Sequence, residues 1–73
     1  MSEAREVAIR GDMVRLGQLL KFAGVIDSGA EVKEFLATTT VRVNGEPEAR
    51  RGRQLHPGDE VAVGDEVLRL TGA

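Results

Sequence analysis

The spacing of apolar residues changes along the chain, and each change marks an element. Glu6 to Arg10 sets charged ends around Val7, Ala8 and Ile9, which predicts a short strand with Val7 and Ile9 on one face. Gly11 and Asp12 end it. From Arg15 the period becomes helical: Leu16, Leu19, Leu20 and Ala23 fall at i, i+3, i+4 and i+7, predicting a helix that stops near Gly24. Ser28-Gly29-Ala30-Glu31 fits a capping box, with the Ser28 hydroxyl accepting from the third helical amide and Glu31 reaching back. A second helix should follow, with Val32, Phe35 and Leu36 as its apolar stripe and Lys33 on an accessible flank.

The period then falls to two. Val41 and Val43 point inward, Arg42 outward, and Asn44-Gly45 supplies the positive φ angles of a two-residue hairpin turn. Pro47 cannot donate a ladder hydrogen bond, so the return arm should be short or lie on a sheet edge. His56-Pro57-Gly58-Asp59 is turn chemistry, Val61 and Val63 alternate, Gly64-Asp65 turns again, and Val67, Leu68 and Leu70 predict a last strand. Together these predict an α+β fold with two short helices packed on a small antiparallel sheet. Its core should contain Leu16, Leu19, Leu20, Val32, Phe35, Leu36, Val41 and Val43, because neither helical stripe nor the hairpin face buries itself. Without repeats or a long linker, residues 1–73 read as one domain.

Composition narrows the function. At 73 residues the chain can bury one small core, and with no cysteine neither disulfides nor thiolate metal sites can reinforce it. The segment from Met1 to Arg10 has no long apolar run, which predicts neither signal peptide nor membrane span and makes the cytoplasm the expected compartment. His56 is the sole histidine, so no metal site and no nucleophile and base pair can be assembled around it. The expectation is a monomeric protein that is not an enzyme and needs no cofactor. Phe22 and Phe35 are the only aromatics, too few for a run of stacked bases.

A net charge of -2, from ten basic and twelve acidic side chains, argues at first against a nucleic-acid partner. The distribution reverses that. Asp59, Glu60, Asp65 and Glu66 face only Arg69 beyond Pro57, whereas Arg50, Arg51 and Arg53 crowd together just before it. A phosphate backbone responds to charge within about a Debye length, ~8 Å at physiological salt. Arginine also suits RNA, since its planar guanidinium pairs two phosphate oxygens and stacks on unpaired bases.

Four segments in order, Arg15-Leu16-Gly17-Gln18-Leu19-Leu20, Ser28-Gly29-Ala30-Glu31-Val32-Lys33, Val41-Arg42-Val43-Asn44-Gly45 and Pro57-Gly58-Asp59-Glu60-Val61, resemble the RNA-binding domain of small-subunit ribosomal protein S-four, the alpha-L motif. The family-like core runs over 15–63, and the small free-standing bacterial members are the most similar kind. The resemblance implies binding of structured RNA, ribosomal or tRNA-like, with the ribosome as one setting. It implies an RNA surface from Ser28, Gly29, Lys33 and Arg42. Many members carry arginine where this chain has Gly29 and glycine where it has Thr39; free-standing members share the Ser-Gly form and an arginine-rich segment like Arg50-Arg51-Gly52-Arg53. That cluster therefore leads the candidates, with Lys21 beside Lys33 on the helix flanks and Arg15 divided between phosphate contact and structural pairing with a carboxylate.

Plainer readings stand beside these. The arginines could be a solvated loop paired with Glu46 and Glu48, and Ser28 has a sufficient role as a cap. A ubiquitin-like sulfur carrier of similar size also uses a Val-Asn-Gly-Glu hairpin, but its chemistry needs a terminal Gly-Gly where this sequence has Thr71-Gly72-Ala73. A protein-interaction adaptor using the same basic surface is the other alternative.

Overall fold

The computed structural model describes residues 4–72. Their order is β1 (Ala4–Ile9), β2 (Val14–Arg15), α1 (Leu16–Phe22), a 3-10 turn (Gly29–Glu31), α2 (Val32–Thr38), β3 (Val41–Val43), β4 (Glu46–Pro47), β5 (Gln54–Leu55), β6 (Glu60–Val63) and β7 (Glu66–Gly72). Five strands form one sheet in the order β1-β7-β6-β3-β4, while β2 and β5 make a separate two-stranded ladder. From β7 to β4 the sheet is antiparallel, as the β6–β7 and β3–β4 turns require of those two pairs, and β3 joins the two hairpins by pairing with β6. The expected all-antiparallel sheet needs one correction: β1 lies parallel to β7, with Val7 opposite Leu70. Hydrophobic period identifies a strand's buried face and is silent about its partner. The same pairing starts β1 at Ala4 and ends it before Arg10.

The buried faces then meet. Val7, Ile9, Val41, Val43, Val61, Val63, Leu68 and Leu70 present one apolar sheet surface, and Leu16, Leu19, Leu20, Val32 and Leu36 close it from the helical side. Phe35 packs against this core only partly buried, because a seven-residue α2 aims Val32 and Leu36 inward at i, i+4 and leaves Phe35 on its flank. Ile26 and Leu55 are buried too, although they sit in stretches without a readable period. At the sheet's edge, Arg5 donates from Nη2 to the Ala23 carbonyl at 2.6 Å and pairs with Glu66, fastening the end of α1 to β1 and β7.

Asn44 (φ 51°) and Gly45 (φ 87°) make the expected hairpin turn, and Pro47 lies on the edge strand β4. Asn44 does more than turn. Its Nδ2 donates to Asp59 Oδ1 at 3.1 Å and its Oδ1 accepts the Glu60 amide at 3.0 Å, so the hairpin tip is tied to the start of β6. Asp59 and Glu60 are thus both engaged. Asp59 also accepts the His56 amide at 2.8 Å, and Glu60 pairs with Arg69 across the strands at 2.8 Å.

Leu20 is fully buried where α1 faces the sheet. Leu20→Ala should cost about 2–5 kcal/mol through lost transfer energy and a residual cavity. For a domain of this size each kcal/mol lowers the melting temperature by roughly 4–8 °C. A thermal melt followed by circular dichroism checks it; an unchanged midpoint rejects this core.

Candidate nucleic-acid interface

The segment before β5 is held by its backbone, and that decides where its side chains go. The first amides of a helix have no intrahelical acceptor. Here Leu16 N–H donates to the Arg53 carbonyl and Gly17 N–H to the Arg51 carbonyl, each at 2.9 Å. Between them the Gly52 carbonyl accepts from Arg15 Nη1 at 3.1 Å. Three successive loop carbonyls are therefore fixed to the start of α1, and Arg50, Arg51 and Arg53 are aimed from a rigid base. Arg15 thus binds a carbonyl and not the carboxylate expected as its structural partner. Close approach depends on Gly17, where a Cβ would stand 3.3 Å from Val32 Cγ1 and 3.4 Å from Arg51 Cβ.

Arg15, Lys21, Gly29 and Arg51 border one shallow groove over α1 and the 3-10 turn. Lys33 and Arg51 border a second groove beside α2, so Arg51 stands where the two meet. Among the described residues no carboxylate forms an ion pair with Arg51, Lys21 or Lys33. Lys21 and Lys33, which belong to different helices, are thus joined through the arginine segment.

Arg50 and Arg53 are placed differently. Arg50 donates to Glu48 from Nε at 3.0 Å and Nη2 at 3.2 Å, and Arg53 donates from Nη1 at 2.9 Å. The Glu48 carboxylate also accepts the backbone amides of Ala49 and Arg50, both at 3.1 Å. The Arg50 guanidinium, then the Arg50 amide, then Arg53 pull its pKa from 4.5 to about 2 against the cost of burial. The solvated-pair reading thus holds for two of the three arginines, with Glu48 as the acid and Glu46 uninvolved. Arg42 projects from the solvent side of β3, opposite Pro47 and Ala62, and borders none of these grooves.

The capping box at Ser28 does not form. The Glu31 amide, which the hydroxyl should have accepted, donates instead to the Ser28 carbonyl at 3.1 Å, because the tighter 3-10 winding brings that oxygen into range. Ser28 Oγ lies 3.5 Å from Glu31 Oε1. A reach-back contact occurs on α1, where the Arg15 amide donates to Gln18 Oε1 at 3.2 Å. Gln18, Gly17 and Glu48 were not singled out as site residues by period or motif. The i, i+3 spacing of Arg15 and Gln18 was the available signal for one of them.

Comparison with known proteins fits this geometry. The family model for the S4 domain matches residues 7–71. The chain belongs to the S4 domain family. The α+β, alpha-L expectation is therefore correct, and the sulfur-carrier alternative gains no support. A relative from Bacillus subtilis (strain 168), described as "Probable ribosome maturation protein RlbA", is 48% identical over 60 residues, covering 82% of this S4 domain chain and 84% of the relative.

Glu48 gives the domain a defined acid response. Its folded pKa lies below its unfolded value, so the folded state binds fewer protons; the contribution is present above about pH 4.5 and lost as pH falls towards about 2. Glu48→Gln should lower stability near neutrality and make it fall less steeply over that window. Urea midpoints at a series of pH values check this, and parallel curves for parent and variant contradict it.

Proposed function

We propose that this S4 domain binds structured RNA without transforming it. Arg51, Lys21 and Lys33 hold phosphates along the two grooves, with Arg15, Ser28, Gly29 and the more restrained Arg50 and Arg53 at their borders and Arg42 as an outlying contact. One observation carries the reading: in a chain of net charge -2, three cations without acidic partners among the described residues converge on one surface around Arg51. Phosphate contacts require charge near the backbone and little else, which is how a net-acidic domain can bind RNA.

Ribosomal RNA is the favoured ligand, supported by the ribosome-maturation name of the Bacillus subtilis relative. A monomer working in the cytoplasm belongs to the same proposal. The non-catalytic reading draws support from the sole histidine, His56, which sits 3.9 Å from Asp59 in a turn with no nucleophile beside it. No helix among the described residues is long and apolar enough to cross a membrane.

The test is the salt dependence of binding to ribosomal RNA. Each neutralised phosphate contributes roughly 0.7 to 0.9 to the slope of log affinity against log salt. Arg51→Gln with Lys33→Gln should weaken binding and flatten that slope by about one such contribution per charge, with the melting temperature nearly unchanged. Arg53→Gln would also release Glu48 and so mixes binding with stability. Asp65→Asn, in the exposed turn between β6 and β7, serves as the control and should leave the slope alone. An Arg51 and Lys33 double variant with parental affinity and slope means the grooves do not hold phosphate. Salt-insensitive association with a protein instead of RNA would favour the adaptor reading.

A further inference from the structure

Among the described residues, two large apolar side chains remain exposed: Phe22 at 68% and Met13 at 38%. They are neighbours. Both border a cleft with Arg10 and Gln18, and no carboxylate lines it. Gln18 also borders the groove that holds Lys21 and Arg51, so one side chain forms the wall between the apolar cleft and the basic groove.

The orientation of Gln18 follows from its one backbone contact. The Arg15 amide can only donate, so the side-chain atom facing it at 3.2 Å is Oε1, and the amide nitrogen turns away from it. Among the described residues nothing accepts from that nitrogen. Gln18 thus brings two N–H donors with no acceptor among the described residues to the cleft that the exposed Phe22 ring also borders, with Arg10 on the rim and Lys21 next to Phe22 in sequence.

We infer that this cleft takes one unpaired base of the bound RNA, stacked on Phe22 and Met13 and hydrogen-bonded from the Gln18 amide, while the adjoining phosphate lies in the groove of Lys21 and Arg51. This rests on the RNA reading and adds a base-sensing element to it. Two side chains supply far too little apolar area for a protein partner, which needs about 800 Å² on each side. A single base matches that extent, and the cationic rim favours a nucleotide. Unpaired bases stack on aromatic rings regardless of identity, and Gln18 can donate to carbonyl or ring-nitrogen acceptors on their edges. The surface therefore selects a stem carrying a bulged or looped nucleotide over a continuous helix.

Two RNA hairpins test this: one with a single bulged 2-aminopurine, the other with the same stem fully paired. The parent should bind the bulged hairpin more tightly and quench its fluorescence. Phe22→Ala should weaken that complex about 5- to 150-fold, the range for losing one stacked base. Its salt slope should stay parental, its affinity for the paired stem should not change, and Phe22→Tyr should restore quenching. Because Phe22 is exposed, the melting temperature of both variants serves as the check on folding. Phe22→Ala bound to the bulged hairpin as tightly as the parent, with a normal salt slope, overturns the base cleft and leaves phosphate binding standing. A parent that sediments as a dimer and becomes monomeric on Phe22→Ala also overturns it, by showing the face to be covered by a second copy. A parent that binds neither hairpin removes the RNA reading itself, and the base cleft with it.

Discussion

The bonds from the amides of Leu16 and Gly17 to the carbonyls of Arg53 and Arg51 govern the rest of the site. A helix start must place its free amides somewhere, and water is the usual acceptor. Here the acceptors come from a loop remote in sequence, which is drawn across the helix face and pinned at three consecutive carbonyls. The backbone of the arginine segment is therefore already ordered, which on the proposed RNA reading reduces the backbone entropy lost on binding. Gly17 permits the approach, since any side chain there would press on Val32 and Arg51. A position that looks like a weakness in a helix is what lets the loop seat.

Glu48 divides the arginine segment into two kinds of residue. Arg50 and Arg53 share its carboxylate and keep the segment in shape, whereas Arg51, between them in sequence, has no acid to answer it among the described residues. Sequence proximity grouped the three arginines as one cluster. The fold assigns two of them first to their own chain, and Arg51 shares its grooves with two lysines supplied by the helices.

Much of the architecture was legible in the sequence because periodicity reports burial. The inward faces of β1, β3 and β6, the stripe of α1 and the Asn44-Gly45 turn all follow from local spacing. Pairing was not legible: the parallel contact of β1 with β7 and the ladder of β2 with β5 join segments whose patterns say nothing about each other. The same limit applies to the site. Lys21 and Lys33 were placed together on the helix flanks, but Arg51, which stands between their grooves, is held there by the carbonyl clasp, and Gln18 is oriented by an amide three residues away. Ser28 shows the converse error. Its motif was correct for a capping box, and a 3-10 turn took the amide first.

The position of β7 has a consequence for how the chain acquires its structure. Although last among the described elements, β7 lies inside the sheet, between β1 and β6, and β1 has no other strand partner. During synthesis the helices and the β3–β4 hairpin can form from local contacts as they emerge, but β1 must wait with Val7 and Ile9 uncovered until β7 is released. The slow event is then the closing of the longest loop in the molecule, an entropic cost that local sequence preference cannot reduce. The domain is in this sense closed last by its two ends, and an incomplete chain would expose the edge of a strand whose partner has not yet been made.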